Sequence, residues 1–145
     1  MPEKIKVALV GLGNCFSGLI QGIEYYSKNP SQKITGIIHE NLRDYTIHDI
    51  EFVAGFDVGA NKVGKPINDA IYESPNMVNW IDKNDMPKAN GNVYESPALD
   101  GVGIWVENKV KPIESGKSES ELREEIIKVL EETGTEIIVS YLPVG

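Results

Sequence analysis

An almost unbroken apolar run, Ile5-Lys6-Val7-Ala8-Leu9-Val10, leads directly into Gly11-Leu12-Gly13. That is the signature of a buried strand ending in a tight turn. From Asn14 the period changes. Leu19, Ile20, Ile23 and Tyr26 recur at helical spacing and predict one apolar face, which stops at Ser27-Lys28-Asn29-Pro30. Residues 31–48 keep no period and are expected to form an ordered excursion. Ile50-Glu51-Phe52-Val53-Ala54-Gly55-Phe56-Asp57 is the second strand, rich in β-branched and aromatic residues and closed by a carboxylate. A short helix is expected from Pro66 to Tyr72, with the proline suited to its first turn. Residues 74–116 are loop-rich, with prolines at 75, 87, 97 and 112, and hold one short strand near Asn92-Val93-Tyr94. Ser118-Glu119-Ser120-Glu121 matches a capping box, followed by the apolar stripe Leu122, Ile126, Val129 and Leu130. Gly134 is placed to end that helix, and Glu136 to Leu142 reads as a strand of the buried type. There are no internal repeats or low-complexity tracts.

Strands alternating with helices predict an α/β fold, a Rossmann-type doubly wound parallel sheet. Such sheets take ligands at the carboxyl ends of their strands, where Gly11, Asp57 and the turn from Tyr141 to Gly145 all fall. A strand, a glycine turn and a helix in that order open dinucleotide-binding folds. Gly11 lets the chain turn, Gly13 lets the backbone approach a pyrophosphate, and the helix starting near Asn14 aims free N–H groups at it. A plain strand–turn–helix would use the same glycines for the turn alone. Phe16 departs from the fingerprint, which normally has Gly or Ala three residues after Gly13. Its ring is expected to point away from the sheet or push the helix outward, with Gly18 or a shifted helix axis supplying the missing space. Asp57 suits a ribose: its carboxylate can accept from both hydroxyls and repel a 2′-phosphate, favouring NAD over NADP. It follows Gly13 by 44 residues, against the usual ~20. An insertion over residues 27–48 accounts for the excess. A solvated strand-end aspartate is the plainer reading.

Size and charge narrow the classes. The 145 residues suffice for one domain and are too few for a two-domain dehydrogenase. A net charge of −8 argues against nucleic acid or an acidic membrane as partner. One cysteine excludes an internal disulfide and fits a reducing compartment. No signal peptide is visible and the first apolar run is too short for a bilayer, so a cytoplasmic location is expected. Cys15 stands in a first helical turn, where a thiol can become reactive, but a small residue filling a tight turn is the simpler account. His39 and His48 lie too far apart for a local metal motif, and no metal is expected. Trp80 and Trp105 read as packing residues, and the charges from Glu119 to Glu132 as a solvated helix face. No catalytic pair stands out.

Several segments together resemble inositol-phosphate synthases of the archaeal and bacterial type. They are Gly11-Leu12-Gly13-Asn14-Cys15-Phe16-Ser17, Gln21 to Tyr26, Asp49 to Val58, Leu99-Asp100-Gly101-Val102-Gly103, and Val139-Ser140-Tyr141-Leu142-Pro143-Val144-Gly145. They span nearly the whole chain in order, although that family usually carries a small residue where Phe16 stands. The resemblance implies an enzyme converting glucose 6-phosphate to inositol phosphate with tightly held NAD, by oxidation at C5, enolisation, intramolecular aldol closure and reduction. The reaction has no net redox change and feeds inositol and phospholipid synthesis. The resemblance places Gly11, Gly13, Asn14 and Cys15 at the pyrophosphate, with Ser17 in the same turn, and Asp57 at the ribose. Ser140, Leu142, Asp100 and Gly101 would lie near the cofactor. It also implies a homotetramer, with catalytic lysines and the tetramer-forming sheet following the Tyr-Leu-Pro-Val-Gly turn. No catalytic residue is therefore assigned here. The sheet is expected to break off after its fourth strand, and the isolated chain to lack synthase activity. Two other classes remain open: a different NAD(P)-dependent oxidoreductase, such as a sugar or amino-acid-semialdehyde dehydrogenase, and a non-catalytic dinucleotide-sensing module.

Overall fold

The structure is a computed structural model that describes residues 3–30, 35–99, 101–104 and 107–142. Four strands, β1 (Ile5–Val10), β2 (Ile50–Asp57), β3 (Asn92–Glu95) and β4 (Ile137–Ser140), form one sheet in the order β3-β2-β1-β4. Every pairing is parallel. This is the doubly wound α/β arrangement, in which the chain leaves a central strand, builds outward on one side, then crosses to the other.

The alternation of side chains along β1 decides what each face holds. Val7 and Leu9 join Leu12, Phe16, Ile20, Ile67, Ala70, Ile71 and Val93 in the larger core cluster. That places α1 (Asn14–Lys28) and α2 (Ile67–Ala70) on one face. Ala8 goes the other way and joins Ala54, Phe56 and Val129, so α3 (Glu119–Thr133) covers the second face. The start of α3 is a capping box: Ser118 Oγ accepts from the Glu121 amide and the Glu121 carboxylate accepts from the Ser118 amide. Its end is Gly134, at φ +66°. A capped 3-10 turn, Ile47–Asp49, delivers the chain from the excursion into β2. No helix among the described residues is long and apolar enough to cross a membrane.

Four expectations change. The buried face of α1 is Phe16, Ser17, Ile20 and Gln21, with Leu19 exposed. Two polar residues enter the interior because a later segment supplies their hydrogen-bond partners. Phe16 does not turn away from the sheet: it is fully buried, and its ring stacks on Tyr141 with centroids 4.3 Å apart. Gly18 makes no room for it. Its open side faces the Trp80 indole, 3.5 Å from where a Cβ would sit. The last strand is shorter than Glu136–Leu142 and is an edge strand, with Ile137 and Ile138 46% and 54% exposed.

Because Phe16 fills the larger core, Phe16→Ala is expected to cost about 3–5 kcal/mol of unfolding free energy. Urea denaturation followed by circular dichroism measures it. A loss under about 1 kcal/mol would mean that the ring does not occupy the core.

Candidate functional site: a braced glycine turn

All four strands run the same way, so their carboxyl ends share one edge, and the glycine turn sits at its centre. The Gly11 amide donates to the Phe56 carbonyl at 2.9 Å, extending the β1–β2 ladder by one residue. Gly11 then adopts φ +80°, and a Cβ on it would lie 2.8 Å from Leu142 Cδ2. The backbone conformation demands glycine there, and a Cβ would also displace the Leu142 side chain. Gly13 differs. Its φ is −84°, and a Cβ would meet no protein atom within 4 Å. The fold itself does not require that glycine, and what its missing side chain preserves is open space in front of α1. The first bond within the helix runs from the Ser17 amide to the Gly13 carbonyl, and no side chain caps the helix start. The amides of Asn14, Cys15 and Phe16 therefore precede the helical ladder at its positive end.

Beneath the turn lies a buried polar network. Asp57, the last residue of β2, accepts the Leu12 amide on Oδ2 and the Gly59 amide on Oδ1, both at 2.8 Å. Lys62 is 5% exposed; its Nζ donates to the Leu12 carbonyl at 2.7 Å and lies 3.9 Å from Asp57 Oδ2. Asn76 donates to the same carbonyl at 2.9 Å and to the Ile71 carbonyl. Both polar groups of the Leu12 peptide are thus held by side chains from elsewhere in the chain. Burial pushes the Lys62 ammonium below the usual lysine range, and the neighbouring carboxylates of Asp57 and Glu73 oppose the shift.

A strap over residues 76–81 closes the outer side of α1. The Met77 amide donates to Asn14 Oδ1, and the Trp80 and Ile81 amides donate to Gln21 Oε1. Gln21 Nε2 donates to Ser17 Oγ and to the Val78 carbonyl, so Ser17 and Gln21 face the strap from inside the fold.

The structure brings Gly11, Gly13, Asn14, Cys15, Asp57, Ser140 and Leu142 to one edge. Cys15 is exposed, Ser17 is fully buried, and Leu142 lies across Gly11. Gly101 is exposed with φ +73°. Asp100, Trp105 and residues 143–145 of the last turn lie outside the described residues. Lys62, Asn76 and Gln21 escaped sequence reasoning because none stands at a periodic position or in a local motif. The one available hint was a lysine five residues after the strand-end carboxylate, inside a glycine-flanked turn. A separate groove of about 280 Å³ opens beyond β2 and β3, lined by Val58, Glu95, Ser96, Leu99, Ile113 and Lys117 among others.

Removing the Asp57 carboxylate would leave the Leu12 and Gly59 amides without their acceptor and the buried Lys62 ammonium without the carboxylate it pairs with. Asp57→Ala is expected to lower stability by about 3–5 kcal/mol, read from thermal or urea unfolding. A change within about 0.5 kcal/mol would show that the network carries no weight.

No protein-family model matches the chain. Among characterised proteins, it is 38% identical over 143 residues to the inositol-3-phosphate synthase of Mycolicibacterium smegmatis. It is 40% identical over 147 aligned positions to that of Corynebacterium glutamicum. These alignments cover 98% and 97% of the chain, which spans 37% of each relative's length. Of solved structures, Ari2 superimposes with a TM-score of 0.76 at 27% identity, over 99% of this chain and 40% of its own. A myo-inositol-1-phosphate synthase-related protein from Thermotoga maritima gives 0.73 at 20% identity, over 96% of this chain and 34% of its own, which supports the fold. Sequence identity sustained over almost every residue of the chain thus makes it similar to inositol-3-phosphate synthases, as a stretch spanning 37% of those relatives' length.

Proposed function

We propose that this chain binds NAD at its glycine turn and forms the dinucleotide-binding part of an inositol-phosphate synthase acting on glucose 6-phosphate. The observation that carries the reading is Gly13. It leaves open space before an uncapped helix start, on the edge where this fold class takes its ligands. The similarity to inositol-3-phosphate synthases supplies the rest. When bound, NAD would supply reversible hydride transfer, which allows an isomerisation without net redox change.

The chain's own residues bind and orient. Gly11, Gly13, Asn14 and Cys15 would present backbone amides to the pyrophosphate, with Ser17 supporting the turn from within. Asp57 would accept from the ribose hydroxyls. Each carboxylate oxygen already takes one backbone amide and retains a second lone pair for a ligand. Ser140 and Leu142, just beyond Gly11, would flank the dinucleotide, with Asp100 and Gly101 further out. The reacting sugar, the catalytic lysines and the homotetramer belong to this proposal for the whole protein.

Gly13→Val should put a branched side chain into the space that the pyrophosphate would take, while meeting no protein atom near its Cβ. Titration calorimetry should show NAD affinity falling by more than about tenfold; undiminished affinity in a folded variant removes the assignment. Asp57→Asn keeps an acceptor but loses the charge. NAD binding should weaken by about 1.5–3 kcal/mol, and the gap between NAD and NADP should narrow. A wild-type protein that already prefers NADP contradicts the role given to Asp57.

A further inference from the structure

We infer that Lys62 is a positioning residue for dinucleotide binding: from inside the fold it fixes the Leu12 peptide and offsets the charge of Asp57. The inference rests on the NAD reading above and adds to it a residue that never touches the ligand. Three observations carry it. Lys62 is almost fully buried, although a solvated lysine would cost the fold nothing. Its ammonium donates at 2.7 Å to the carbonyl of the residue between the two glycines, and at 3.4 Å to Asn76 Oδ1, the side chain that holds the same carbonyl. Its nearest carboxylate is Asp57, which holds the amide of the same residue. Lys62, Asp57 and Asn76 together grip the central peptide of the turn at both its N–H and its C=O.

This grip has two separable consequences. The hydrogen bonds fix the direction of the turn, so that its outward face is set before any ligand arrives. The charge makes the Asp57–Lys62 pair close to neutral. Without the ammonium the site would be more negative by one unit, and a ligand with an additional phosphate on its ribose would feel that most. Asn76 contributes to the first effect only, because its amide is uncharged.

The test compares K62M and N76A with the wild-type protein, using calorimetric titration with NAD and, separately, with NADP. Thermal unfolding and circular dichroism confirm that each variant is folded. K62M should bind NAD about ten- to a hundredfold more weakly and NADP more weakly still, so that the preference for NAD widens. N76A should weaken both cofactors by the same factor and leave the preference where it was. If K62M does not fold, K62Q replaces it, since its amide can still donate to the Leu12 carbonyl while the charge is gone; the widened preference is again expected. Equal losses for the two cofactors in the lysine variant would reduce Lys62 to a structural residue and overturn the inference. A K62M protein with unchanged NAD affinity, beside a wild type that binds, would overturn it as well and leave the NAD reading standing. A wild type that takes up neither cofactor would remove that reading and this inference together.

Discussion

The carboxylate of Asp57 is the point on which this edge of the molecule depends. It stands at the end of β2, and each of its oxygens accepts a backbone amide of a loop, one in the turn after β1 and one in the turn after β2. Hydrogen bonds to an ionised acceptor are the strong ones in a protein interior. Here they join two neighbouring strand ends just where the sheet's own ladder stops. Lys62 completes the arrangement. A buried carboxylate without a counter-charge would be costly, and so would a buried ammonium. Paired, and with the Leu12 carbonyl as a further acceptor, the two are tolerated. Among the described residues no buried side-chain nitrogen or oxygen lacks a hydrogen-bond partner.

The two glycines of the turn serve different ends. Gly11 answers to the protein: its left-handed backbone strains any residue with a Cβ, and the Leu142 side chain would have to shift to admit one. Gly13 is not required by the protein, because ordinary dihedrals and empty surroundings would admit a larger residue. The strap over residues 76–81 adds rigidity from the far side of α1, with Gln21 accepting two of its amides and donating to one of its carbonyls. The helix that follows the glycine turn is therefore anchored along its flank as well as at its root.

Much of the fold was legible in the chain because its signals are local. β1 and β2 ran as apolar segments, α3 announced itself by Ser118, Glu121 and Gly134, and the strand at Asn92 stood out from a loop-rich region. Parallel pairing followed from the alternation of strands with helices. The candidate site was legible in outline, since Gly11, Gly13 and Asp57 occupy the ends of strands that the pattern had already located. The resemblance to inositol-phosphate synthases was likewise readable from short segments, and it agrees with the relatives that match the chain.

What only the tertiary structure decided concerns groups whose partners lie far along the chain. Gln21 reads as a polar interruption of an apolar face until residues 59 and 60 positions later arrive to be bound. Lys62 reads as a surface charge until the Leu12 carbonyl, 50 residues earlier, is brought to it. Phe16 looked too large for its position, and the gap it fills was revealed only when Tyr141 came to lie against it. Periodicity, caps and glycines record what a segment demands of its immediate neighbours, and those the sequence alone determined. Burial of a polar or oversized side chain depends on which distant group meets it, and that is settled only when the sheet closes.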